Sequence, residues 1–86
     1  MTDIRKPPFK NLLITGAAGA LGSVLREALI PYTEVLTLSD RAPLGKPRPN
    51  ERHFVGDLAD RDLVFEMMQG VDVVIHLGGA PRENTF

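Results

Sequence analysis

The sequence predicts an α/β fold in three layers: about four parallel strands in one sheet, with helices on both faces. Three observations predict it. Four short runs are continuously apolar and bounded by turn residues, the pattern of strands buried on both faces. Two stretches between these runs carry apolar residues at helical spacing. The resulting order, strand, helix, strand, strand, helix, strand, joins parallel strands by crossovers rather than hairpins.

Each element has a local reason. Residues 1–8 form a lead-in. Phe9 to Thr15, FKNLLIT, is the first strand. Leu21, Val24, Leu25, Ala28 and Leu29 recur at helical spacing, while Ser23, Arg26 and Glu27 fill the polar face. Pro31 stops this helix, because proline lacks an amide donor and restricts the residue before it. Glu34 to Asp40, EVLTLSD, is the second strand. RAPLGKPRPN holds three of the seven prolines, so it reads as a loop and not as a regular crossover helix. Arg52 to Val55, RHFV, is a short third strand stopped by Gly56 and Asp57. Asp60 is placed to cap the second helix. The expected buried stripe of that helix is Leu63, Val64, Met67 and Met68, and Gly70 is its C-terminal stop. Val71 to Leu77, VDVVIHL, is the fourth strand, closed by Gly78 and Gly79.

The totals limit what such a chain does. Its 86 residues allow at most one small domain, which buries roughly 60% of the surface of its unfolded chain. Ten basic and eleven acidic residues, a net charge of −1, argue against a nucleic-acid or membrane-surface partner. No apolar run approaches the roughly 20 residues that cross a bilayer. The absence of cysteine excludes a disulfide framework and a thiolate metal site, and is compatible with a cytoplasmic protein.

The chemistry concentrates in GAAGALG. Gly16, Gly19 and Gly22 stand where the first strand ends and the first helix begins. A helix N-terminus presents unpaired amides and a partial positive charge, which suits a pyrophosphate. The first glycine allows the sharp turn, the second leaves room for a phosphate, and the third lets the helix approach closely. The spacing is G-x-x-G-x-x-G. A strand before it, a helix after it and Asp40 at the end of the next strand, 24 positions beyond Gly16, make dinucleotide binding the expected function. A signal-peptide core is excluded because Arg26 and Glu27 follow directly and no convincing cleavage site appears. A Walker-type loop is excluded because no Gly-Lys-Ser/Thr follows.

Asp40 points to NAD. A carboxylate accepts both hydroxyl protons of the adenosine ribose and repels the extra 2′-phosphate of NADP. Arg41, beside it, is either a solvated charge or a partner for that phosphate. Asp57, with Leu58 after it, is open to two readings: a capping aspartate, or an edge contact to adenine. His76 reads as a packed, hydrogen-bonded residue and not as a catalyst. Gly78 and Gly79 leave the strand beside the first one, where the strand order reverses and ligands bind.

LLITGAAGALG, LSD, GDLAD and VIHLGG, in this order, resemble the extended short-chain dehydrogenase/reductase family. Within it, the string from about Phe9 to Gly79 resembles the uronate dehydrogenases. The resemblance implies the N-terminal half of a Rossmann-type fold over residues 9–86, with NAD as cofactor. The implied activity is oxidation of galacturonate or glucuronate at C1 to an aldarolactone. It would set Ala20 and Leu21 against the pyrophosphate, Asp40 and Arg41 at the adenosine ribose, and Asp57 and Leu58 at adenine. Leu77, Gly78 and Gly79 would pass beside the nicotinamide-side ribose and phosphate.

Two departures from the family pattern matter. The serine that usually follows the paired glycines by two residues is Pro81 here. A nucleotide-sugar epimerase or dehydratase therefore stands as an alternative, as does a non-catalytic dinucleotide-binding module. The catalytic Tyr-x-x-x-Lys and serine of the family lie well downstream, and the sole tyrosine here, Tyr32, has no lysine four residues on. The expectation is the N-terminal part of a longer enzyme, with no catalytic residue of its own, no metal, and a sugar-acid substrate for the whole protein. The fourth strand would leave an apolar edge, and such edges pair, so self-association into a homo-oligomer is expected.

Overall fold

The computed structural model describes residues 7–77. Four parallel strands form one sheet: β1 (Phe9–Thr15), β2 (Thr33–Asp40), β3 (Glu51–Val55) and β4 (Val73–His76), in the spatial order β3-β2-β1-β4. This is the 3-2-1-4 order with which the doubly wound dinucleotide-binding sheet begins. Two helices complete it, α1 (Ala20–Ala28) and α2 (Arg61–Met67).

The pleat sends alternate residues to opposite faces. Leu12 and Ile14 of β1 share one face with Leu36 and Leu38 of β2, and together they form the core with Ala17 and Leu44. Leu25 and Leu29 of α1 pack on that core, as do Val73 and Ile75 of β4. The loop of residues 41–50 contains no helix, as its prolines predict. It covers the sheet instead by inserting Leu44, which is 7% exposed, where a crossover helix would lie. The opposite face carries Asn11, Leu13, Thr15, Thr37 and Ser39, all buried. Thr37 Oγ1 donates to Asn11 Oδ1 at 2.7 Å, so the polar pair is satisfied inside. α2 covers this face. Met67 is buried, and the carbonyl of Gln69, just past α2, accepts from the Arg52 guanidinium of β3.

Several expected details shift. Leu21 and Val24 are 58% and 62% exposed and are not part of the buried stripe of α1. The reason is Gly22: its approach to the backbone of Ala17 sets the helix rotation, so Gly22, Leu25 and Leu29 face the sheet. Arg26 is likewise drawn inward and does not belong to a solvated face. α1 ends at Ala28, and the chain tightens into a 3-10 turn, Ile30–Tyr32, that contains Pro31 near its start, where no amide donor is needed. Asp60 caps α2 as expected, accepting from the amides of Asp62 and Leu63. The helix closes at Met67, which leaves Met68 41% exposed at the C-cap, and Gly70 follows with φ +76°. β4 begins two residues late because the Val71 amide closes the helix end on Met68 O, while Asp72 Oδ2 accepts from the Lys10 amide at 2.8 Å. Among the described residues no helix is long and apolar enough to cross a membrane.

Candidate functional site

The C-terminal edge of the sheet is where the glycine loop forms, and each glycine there has a distinct physical role. Gly16 leaves β1 with φ +74°, a conformation that costs an L side chain roughly 1–2 kcal/mol. The turn is hung from the next strand: the amides of Gly16 and Ala17 both donate to Ser39 O, at 2.8 and 3.1 Å. A Cβ on Gly22 would lie 2.4 Å from Ala17 O, so this glycine is required by helix-to-loop packing. Gly19 is different. Its backbone is extended, with φ −75° and ψ 177°, and a Cβ there would meet only Gly16 O at an ordinary 3.7 Å. Neither backbone strain nor packing demands glycine at position 19. Two reasons for glycine are left, its advantage over alanine as an N-cap and room for a group that approaches the backbone closely.

What lies ahead of Gly19 suits an anion. Gly19 is the N-cap of α1 and offers no side chain to the first turn, which also contains no acidic residue. The first intrahelical bond runs from the Ser23 amide to Gly19 O, so the amides of Ala20, Leu21 and Gly22 precede the ladder. α2 makes the contrast. Its first turn is occupied by the Asp60 carboxylate and contains Asp62. One helix N-terminus is closed by the protein and the other is left open.

Asp40 ends β2 beside this loop. Its Oδ2 accepts from the Ala18 amide and its Oδ1 from the Ala42 amide, both at 2.9 Å. Burial pushes its carboxyl upward, but the amides of Ala42, Ala18 and Arg41 outweigh burial and hold it below its ordinary value. The group is therefore ionised at neutral pH. The carboxylate retains lone-pair capacity for a ribose hydroxyl. A cleft of about 250 Å3 gathers Gly16, Ser39, Asp40, Arg41, Gly56, Asp57 and Leu58. Five of the residues expected from the sequence thus line one cavity. Ser39 and Gly56 were not expected, and only their places next to Asp40 and Asp57 signal them.

Asp57 is not the cap of α2. One of its oxygens accepts from the Ala59 amide in a tight turn ahead of Asp60, and the residue stays exposed at the cleft. Leu77 continues the pairing of β4 with β1 by donating its amide to Thr15 O at 2.9 Å. His76 is hydrogen-bonded as expected, its Nδ1 lying 2.5 Å from Thr15 Oγ1, yet it is exposed at the sheet edge and not packed. Gly78, Gly79 and Pro81 lie outside the described residues. Tyr32 sits just before β2, at the end of the parallel sheet opposite the glycine loop, so it belongs to no shared site with Asp40. A larger open groove of about 910 Å3 runs along α2 and shares only Leu58 with the cleft, without any glycine-loop or strand-end residue.

Comparison with known proteins agrees with this geometry. The chain is 50% identical over 80 residues to the uronate dehydrogenase of Pseudomonas putida, which covers 92% of this chain and 30% of that protein. The crystal structure of uronate dehydrogenase from Agrobacterium tumefaciens superposes with a TM-score of 0.83 at 48% identity, over 92% of this chain and 30% of that one. A mutant of the Agrobacterium tumefaciens enzyme complexed with NAD superposes with a TM-score of 0.82 at 49% identity, over 91% of this chain and 29% of that one. The chain thus spans about 30% of the length of the relatives it matches. The NAD dependent epimerase/dehydratase family matches residues 12–85, and the chain belongs to that family.

Proposed function

We propose that the chain binds NAD, and that it is the N-terminal portion of an NAD-dependent uronate dehydrogenase. The reaction would oxidise galacturonate or glucuronate at C1 to an aldarolactone. The observation that carries the NAD reading is at Gly19: among the described residues neither strain nor a close contact demands glycine there, and it precedes a helix N-terminus that no side chain closes. Identity of 50% and 49% over 80 residues to two uronate dehydrogenases supports the substrate class.

In this reading NAD supplies the hydride acceptor. The amides of Ala20, Leu21 and Gly22 hold its pyrophosphate, with the α1 dipole adding to the attraction. Ionised Asp40 accepts from the adenosine ribose and disfavours a 2′-phosphate, while Arg41 flanks that ribose. Asp57 and Leu58 border adenine, and Leu77 runs beside the nicotinamide-side ribose. These contacts bind and orient the cofactor. Residues 9–86 then form the first part of a dinucleotide-binding domain whose chemistry is completed by the rest of a longer protein. That protein acts in the cytoplasm, as a homo-oligomer.

Calorimetry tests the reading. Wild-type chain should bind NAD, and Gly19→Val should abolish binding; equal affinities would remove the phosphate-cradle role. Pro81, standing where uronate dehydrogenases usually have serine, favours the second reading, a nucleotide-sugar epimerase or dehydratase. Turnover of a UDP-sugar and not of a uronate by the full-length enzyme would select it.

A further inference from the structure

Arg26 lies in the second turn of α1 and does not line the cleft. Its guanidinium forms a fork on Glu51, with Nε donating to Oε2 at 2.7 Å and Nη2 to Oε1 at 2.6 Å. It also donates to two loop carbonyls, Nη1 to Leu44 O at 2.9 Å and Nη2 to Lys46 O at 3.0 Å. The Glu51 side chain is 1% exposed and accepts further from the Arg48 amide at 3.0 Å. His53 Nε2 lies 2.9 Å from the same carboxylate. Arg48 in turn pairs with Glu27, the neighbour of Arg26 on α1. A loop that has no helix of its own is thereby fastened to α1 at Leu44, Lys46 and Arg48.

Both ends of this fastening matter to the cleft. α1 begins with the amides that face the phosphate site. The 41–50 loop begins with Arg41, which lines the cleft, and with Ala42, whose amide holds Asp40 Oδ1. A single planar fork joins α1 to the loop that supplies Arg41 to the cleft, and lysine cannot reproduce that geometry.

We propose that Arg26 is a positioning residue for the cofactor cleft: acting through the 41–50 loop, it holds Asp40 and Arg41 in the arrangement that separates NAD from NADP. The proposal rests on the NAD reading above. A purely structural role would lower stability and weaken both dinucleotides together, whereas a positioning role changes the ratio of their affinities.

Arg26→Met alone would strand the buried Glu51 carboxylate, so the test uses the double variant Arg26→Met/Glu51→Leu. It replaces the pair by apolar groups and leaves the two loop carbonyls unfastened. NAD and NADP dissociation constants are measured by calorimetry on folded protein, beside Arg26→Lys and wild type. We expect the double variant to bind NAD about ten-fold more weakly and its preference for NAD to fall by about five-fold, with Arg26→Lys in between. An unchanged preference in a folded variant overturns the proposal. Should the double variant not fold, hydrogen exchange on wild type decides: the Ala42 and Arg48 amides, which donate to Asp40 and Glu51, must be protected before NAD is added. Fast exchange there that NAD suppresses overturns the proposal. Wild-type protein that binds neither dinucleotide refutes the NAD reading instead, so the two failures are distinct.

Discussion

Gly19→Ala and Gly22→Ala should separate ligand binding from folding, although the two glycines are three residues apart in one motif. A Cβ on Gly22 would stand 2.4, 2.6 and 2.7 Å from O, C and Cα of Ala17, all backbone atoms. Restoring ordinary contact requires α1 to retreat by about 1 Å, which lifts Leu25 and Leu29 off the core. Overpacking of this kind costs about 1–3 kcal/mol, and each kcal/mol lowers Tm by about 4–8 °C in a domain of this size. At Gly19 the new Cβ meets one oxygen at 3.7 Å and the backbone is already compatible with alanine. Reduced freedom of the unfolded chain stabilises by about 0.4–1 kcal/mol. A similar loss opposes it, because alanine is a poor N-cap. Net stability should therefore stay within about 1 kcal/mol of wild type. NAD binding should not survive so well. Displacing the phosphate from one charge-assisted amide bond costs about 1.5–3 kcal/mol, about ten- to a hundred-fold in Kd. Thermal unfolding by circular dichroism and calorimetric titration with NAD read the two effects separately. If Gly22→Ala melts like wild type, or Gly19→Ala keeps full NAD affinity, the division of roles among the glycines is wrong.

Other outcomes follow from the same geometry. Burial works against ionisation of Glu51, but the Arg26 fork, the Arg48 amide and His53 overcome it and lower its pKa from 4.5 to about 2. A depressed carboxyl stabilises the fold above its ordinary range, and that stability is lost as pH falls from about 4.5 through about 2; the full effect is about 3 kcal/mol. Urea midpoints should fall over that window in wild type, and an identical acid limb in Glu51→Gln would contradict this account. Asp40→Ala should weaken NAD more than NADP, because it removes both the hydroxyl acceptor and the repulsion of the 2′-phosphate; dissociation constants that change in parallel would count against that role. Asp60→Ala should lower stability by about 1 kcal/mol through loss of the α2 cap while leaving NAD affinity untouched, as measured by denaturation and calorimetry on the same samples.

Much of the site could be read before the structure, because its signals are local. Gly16 must turn the chain, Gly22 must admit the helix, and Asp40 must end the second strand; each constraint involves neighbours within a few residues or a single strand step. The Asp60 cap and the Gly70 stop are equally local. Arg26 was misread for the opposite reason. At helical spacing it belongs to the polar face, and nothing near it announces that Leu44, Lys46 and Glu51 lie within reach of its guanidinium. Leu21 and Val24 were misread with it, since apolar spacing marks a face but not how far that face turns toward the sheet.

Pattern and residue chemistry alone sufficed for the strands, the helices, their order along the chain and the glycine turn between β1 and α1, since period, caps and turns are properties of short segments. Packing across the sheet decided the rest. It set the rotation of α1 at the Gly22–Ala17 contact and gave Leu44 the place of a crossover helix. It also brought a guanidinium 25 residues along the chain from its carboxylate into one fork on the buried Glu51 side chain. Those contacts depend on which segments the sheet order makes neighbours, and no short window of sequence contains that information.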